Sequence, residues 1–97
     1  MLTVDQKIKL FDSFNELKKK LRKDQFRVDY SYPNTKKKQQ NVICQLDLRT
    51  GNGYVCGRFL EISNQYKLDS RGWINIKHFN ESELRKVIEE SIMSLSM

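Results

Sequence analysis

His78, Cys44 and Cys56 are the residues best suited to act as bases, nucleophiles or soft metal ligands, and their small number bounds the chemistry available. A Ser-His-Asp or Cys-His device would rest on the one histidine, which stands beside Phe79 at the end of a strand-like run, where a structural role is the simpler reading. Two cysteines on opposite sides of a hairpin and one histidine do not compose a zinc site. Gly51-Asn52-Gly53 is followed by neither a Lys-Ser pair nor a helix, so it reads as hairpin punctuation rather than a phosphate loop. Asp29 and Asp47 share an outward face, but no pocket-forming residues surround them. The expectation is a non-enzyme with no catalytic residue, no metal and no cofactor.

Cations and aromatic rings are plentiful. The chain of 97 residues carries 18 Lys and Arg against 12 Asp and Glu, a net charge of +6. Residues 1–40 hold eleven of the cations and five of the acids, whereas residues 41–97 hold seven of each, so the whole excess is N-terminal. Such a region attracts polyanions and makes their approach salt-dependent. Lysines outnumber arginines twelve to six, which suits loose phosphate contact better than base-edge reading. Aromatic residues interleaved with cations are what a single strand needs, because bases stack on rings while cations hold phosphates. The candidate nucleic-acid site comprises Lys18, Lys19, Arg22, Arg27, Lys36, Lys37, Lys38, Arg49, Tyr54, Arg58, Trp73 and Lys77.

The elements that position these residues follow from hydrophobic period. Thr3 to Lys23 reads as a first helix, with Thr3 and Gln6 in a capping-box pattern. Val4, Ile8, Phe11, Phe14, Leu17 and Leu21, with Leu10, make one apolar side. Lys18, Lys19, Lys20, Arg22 and Lys23 then fall in its last turns, where cations complement the helix dipole. Phe26-Arg27-Val28-Asp29-Tyr30-Ser31-Tyr32 alternates as a first strand, with Phe26, Val28 and Tyr30 in the core, that ends at Pro33. The stretch from Pro33 to Gln40, with three consecutive lysines, reads as a mobile connection.

The central feature is a hairpin from Asn41 to Phe59. Val42, Cys44, Leu46 and Leu48 face inward; a turn over Thr50-Gly51-Asn52-Gly53 follows, and Val55, Gly57 and Phe59 face inward on the return. Either Arg49 pairs with Tyr54 or Asn52-Gly53 makes a two-residue turn. Leu60-Glu61-Ile62 extends the return strand, and residues 63–72 form a connection long enough to suggest function. Trp73 to Lys77 alternates as a fourth strand with Ile74 and Ile76 inward. Asn80 caps the last helix, Glu83 completes its capping box, and Phe79 with Leu84 staples it. Leu84, Val87, Ile88, Ser91, Ile92 and Leu95 supply its apolar side.

The fold class is therefore α+β, a two-layer sandwich of order α-β-β-β-β-α, with a four-stranded antiparallel meander and both helices on one face. Residues 1–97 form one domain, since no linker or repeat divides them. No apolar run is long enough to span a membrane and no secretory signal opens the chain, so no membrane association and a cytoplasmic location are expected, with both thiols free. A helix, consecutive strands, a helix and a basic surplus resemble a double-stranded-RNA-binding domain. That family places lysines at the start of its last helix, and this chain has Asn80-Glu81-Ser82-Glu83 there, which repels phosphate.

Two functions fit the open sheet face. Tyr54 and Trp73 among Arg27, Arg49, Arg58 and Lys77 would bind a single strand of nucleic acid. Alternatively, Ile43, Cys56, Leu60 and Trp73 form an apolar patch rimmed by charge, the composition of a protein interface. That second protein would be an adaptor or inhibitor of phage or mobile-element type, or a homodimer. Salt separates the two, because phosphate binding weakens steeply with ionic strength and an apolar interface does not.

Overall fold

A computed structural model of the chain describes residues 2–60 and 66–97. The order is α1 (Val4–Asp12), β1 (Lys18–Leu21), β2 (Arg27–Ser31), β3 (Asn41–Asp47), β4 (Tyr54–Cys56), β5 (Trp73–Asn75) and α2 (Glu81–Ser96). The five strands form one antiparallel sheet in sequence order, so the fold is α+β with one strand more than the four expected.

The extra strand comes out of the expected first helix. Thr3 caps α1 as the sequence requires, its hydroxyl accepting from the Gln6 N–H at 3.1 Å and its own N–H donating to Gln6 Oε1 at 2.8 Å. The helix nevertheless stops at Asp12. Ser13 and Asn15 are weak helix formers, and a continued helix would stack Lys18 over Arg22 and Lys19 over Lys23 as like-charged neighbours. In a strand those side chains alternate between faces, and the backbone of β1 satisfies the outer edge of β2, with Lys18 opposite Ser31 and Leu21 opposite Val28. Lys18 and Lys19 therefore lie on an edge strand and not on a helix terminus; Arg22 lies just past that strand.

A second departure changes which residues face inward. β3 pairs Leu46 with Val28, Ile43 with Tyr30 and Asn41 with Ser31, so it carries two more residues than β2 over the same length. These two bulges break the alternation. Val42 and Ile43 are both buried, while Cys44 faces the outer side opposite Tyr54. The expectation of Cys44 inward and Ile43 outward is thus reversed. Gln45 takes a positive φ of 57° at the first bulge, and its N–H, which lies at that break in the β2 ladder, donates to Asp29 Oδ1 at 2.9 Å.

The hairpin exists, but its register is neither of the two expected. Tyr54 pairs with Cys44, and the connection is closed by hydrogen bonds from Asp47 N to Asn52 O at 2.8 Å and from Gly51 N to Asp47 O at 2.7 Å. β4 ends at Cys56, where the chain turns, Leu60 N donating to Gly57 O. The extension expected over Glu61 and Ile62 lies outside the described residues. Cys56 and Leu60, expected outward, are buried. Phe26, expected in the core, instead lies beneath Arg49 and Arg27.

One core joins the layers. Leu10 and Phe11 of α1, Leu84, Val87, Ile88, Ile92 and Leu95 of α2, and Val28, Tyr30, Val42, Ile43, Leu46, Val55, Ile74 and Ile76 belong to the same buried cluster. Phe11 meets the Tyr30 ring edge-on at 5.3 Å, and the Tyr30 hydroxyl donates to Asp12 Oδ1 at 2.7 Å, which fixes the end of α1 over β2. α2 starts where the sequence places it: Glu83 N donates to Asn80 Oδ1 at 2.8 Å and Asn80 N to Glu83 Oε1 at 2.9 Å. Buried Ser91 donates to the Cys56 carbonyl at 2.7 Å, tying α2 to β4.

Candidate nucleic-acid interface

Strand pairing decides what the outer side of the sheet presents. Paired residues share a face, so Tyr54 lies beside Cys44 and Asn75, and Trp73 beside Cys56. Tyr54 and Trp73 are partly exposed and line one groove of about 310 Å³ with Lys67, Leu68, Asp69 and Asn75. The turn entering β5 is built by Asp69, whose Oδ1 accepts from Arg71 N at 2.8 Å and Trp73 N at 2.9 Å. The bond from Trp73 holds this carboxyl below its usual range, helped by Arg71, so it is ionised at neutral pH. Asp69 Oδ2 also receives Arg71 Nη2 at 3.1 Å, which swings that guanidinium to 5.7 Å from the Tyr54 ring.

Leu68 and Asp69 also line a second depression, beside Arg58. Gly72 has φ +86°, and a Cβ there would collide with the Arg58 stem, so the glycine allows Arg58 to lie across the turn. Arg58 and Arg71 line a depression of about 570 Å³ with Gly57, Leu68 and Ser70. On its other side, Arg58 borders a groove of about 390 Å³ with Lys37, Lys38, Gln39 and Phe59. The Lys37 amine and the Arg58 guanidinium stand 5.6 and 5.8 Å from the Phe59 ring centre. The lysine-rich connection is not free: Lys36 N donates to the Leu95 carbonyl at 2.7 Å, and Tyr32 and Ser96 hydroxyls meet at 2.9 Å.

Five of the expected site residues, Lys37, Lys38, Tyr54, Arg58 and Trp73, therefore lie along adjoining grooves. Comparison with protein-family models, curated proteins and solved structures gives no match. The fold and these grooves are thus the whole basis for a functional reading.

The other expected residues are elsewhere. Lys18 and Lys19 lie on opposite faces of edge strand β1, and Lys19 is 3.9 Å from Asp12 at the end of α1. Arg22 is engaged by Asp29 at 2.8 Å and donates to Cys44 Sγ at 3.5 Å; its hydrogen bond to Asp29 raises its pKa. Burial, reinforced by Asp29, raises the Cys44 thiol, which is protonated at neutral pH and a poor nucleophile. Arg49 lies 3.7 Å and Arg27 5.3 Å from the Phe26 ring, each paired with a nearby aspartate. Lys36 is exposed, and Lys77 lies in the turn beyond β5, where its carbonyl accepts from Lys7.

Sequence reasoning missed Arg71, Lys67 and Phe59. Asp69-Ser70-Arg71-Gly72 was open to reading as a turn, with an aspartate first and a glycine last, which would have aimed Arg71 back at the strand. Among the described residues no cluster of three or more His, Cys, Asp or Glu side chains is arranged to hold a metal ion. No helix among them is long and apolar enough to cross a membrane.

Proposed function

We propose that this protein is a non-catalytic binding module for single-stranded nucleic acid, with both helices on the sheet side that carries Tyr30, Val55 and Ile74. The strand crosses the opposite side. Bases stack on Tyr54 and Trp73, and phosphates meet Arg71, Arg58, Lys37 and Lys38 as the strand passes Phe59. The observation that carries this reading is the run of adjoining grooves that brings partly exposed rings and these four cations together. Single strands are favoured over duplex because stacking needs open base faces.

Anisotropy of a labelled oligothymidylate and its RNA counterpart, titrated at two salt concentrations, tests the proposal. Four phosphate contacts correspond to a log-log salt slope of about −3. Removing both rings with Tyr54→Ala and Trp73→Ala is expected to weaken binding at least tenfold, since each base stack is worth about 1–3 kcal/mol. Circular dichroism confirms that the variant is folded. Equal affinity for the variant, or binding indifferent to salt, refutes the proposal.

The adaptor or inhibitor reading has less surface to use than its apolar patch required. Ile43 and Cys56 are 0% exposed and Leu60 9%, which leaves Trp73 as the one accessible residue of the four. Salt-insensitive capture of a protein partner, or a homodimer lost on Trp73→Ala, would favour that reading.

A further inference from the structure

We propose that the free edge of β1 is a docking site for an acidic, extended peptide segment of a partner protein, added to the sheet as a further antiparallel strand. The phase of the ladder shows which groups are free. Arg22 N donates to Arg27 O at 2.8 Å, so residues 18, 20 and 22 bond toward β2, while the N–H and C=O of Lys19 and Leu21 point away from the sheet. Those four groups have no partner among the described residues, and all of Lys18–Leu21 is exposed. An unpaired edge of this kind is a template for another strand.

The chemistry selects the occupant. Donors and acceptors alternate along the edge at about 6.8 Å, two residues of strand rise. A peptide answers both, whereas phosphates accept without donating and would leave the carbonyls unanswered. Lys18 and Lys20 stand on the outer side of the edge, opposite Ser31 and Asp29 in the register, and call for carboxylates beside them. On the helix side Lys19 is already near Asp12, and Leu21 is 52% exposed, an apolar contact awaiting a neighbour. Pairing two copies of β1 would instead set lysine against lysine across the new ladder. Antiparallel addition therefore selects, in the partner's own order, an apolar residue opposite Leu21, an acidic one opposite Lys20, any residue opposite Lys19, and an acidic one opposite Lys18.

An eight-residue synthetic peptide with Val-Glu-Thr-Asp at its centre, titrated into the isotopically labelled chain, tests this. Amide hydrogen exchange at Lys19 and Leu21 is expected to slow at least tenfold at saturation. Methylating the peptide amides that face β1 should abolish binding without touching the protein, and Lys18→Glu with Lys20→Glu should weaken it about tenfold. Tyr54→Ala and Trp73→Ala should leave it unchanged, so failure here is distinguishable from failure of the nucleic-acid proposal. Absence of binding, equal affinity for the methylated peptide, or the same two amides protected by oligothymidylate or by self-association would each overturn the inference.

Discussion

Lys7 is 1% exposed, and both partners of its amine are carbonyls: Gly51 O at 2.5 Å and Lys77 O at 3.3 Å. Burial, then the nearby Lys77 charge, lowers its pKa. The unfolded chain thus holds this proton more tightly than the folded one. Between the depressed folded value and the ordinary 10.5, stability rises with pH. Lys7→Met lacks this titration, so the urea midpoint of the native chain should gain on that of the variant as the pH is raised toward the ordinary lysine value of 10.5. A constant difference would show that the amine is not held under strain. Gly72→Ala acts at the same scale. It forces a side chain into φ +86° against Arg58, and the expected cost is about 1–3 kcal/mol by denaturant unfolding. Oligonucleotide affinity should fall with it, because Arg58 loses its seat.

Among the elements, β3 depends most on one side chain. Asp29 is 13% exposed; it accepts from Gln45 N where the bulge breaks the ladder and from Arg22 at the end of β1. Asp29→Ala removes both bonds and leaves the Gln45 N–H unsatisfied, so a loss of about 2–3 kcal/mol in thermal or urea unfolding is expected. Asp29→Asn, which retains an acceptor, should recover part of it. The same strand shows what can be read from sequence. Both capping boxes were legible because a cap is a contact between residues three apart. The bulges were not, since a period-two reading assumes an unbroken alternation, and a bulge inverts the inward set beyond it. Ile43 and Cys44 exchanged sides for that reason. β1 was hidden differently: Leu17 and Leu21 continue the spacing of a helix, and only the open edge of β2, a tertiary demand, draws those residues into a strand. Of the candidate site, Tyr54 and Trp73 were legible from strand alternation, whereas Arg58, Phe59 and Arg71 lie in turns.

At the scale of the molecule, the N-terminal charge excess does not form one continuous patch. Lys18, Lys19 and Lys20 border a sheet edge, while Lys37 and Lys38 join Arg58 near Phe59. Replacing Lys36, Lys37 and Lys38 together with Ala is expected to flatten the salt dependence of oligonucleotide binding by about 1–2 units of slope. Stability should change little, because the anchoring bond from Lys36 comes from its backbone. The most direct test is to map backbone amide shifts across the whole chain while titrating it with single-stranded oligothymidylate at low salt. The expected result is a continuous track through Lys37, Arg58, Arg71, Trp73 and Tyr54, with β1 undisturbed. Shifts confined to β1 or α2, or a spectrum unchanged at saturating oligonucleotide, would contradict the outer-face interface.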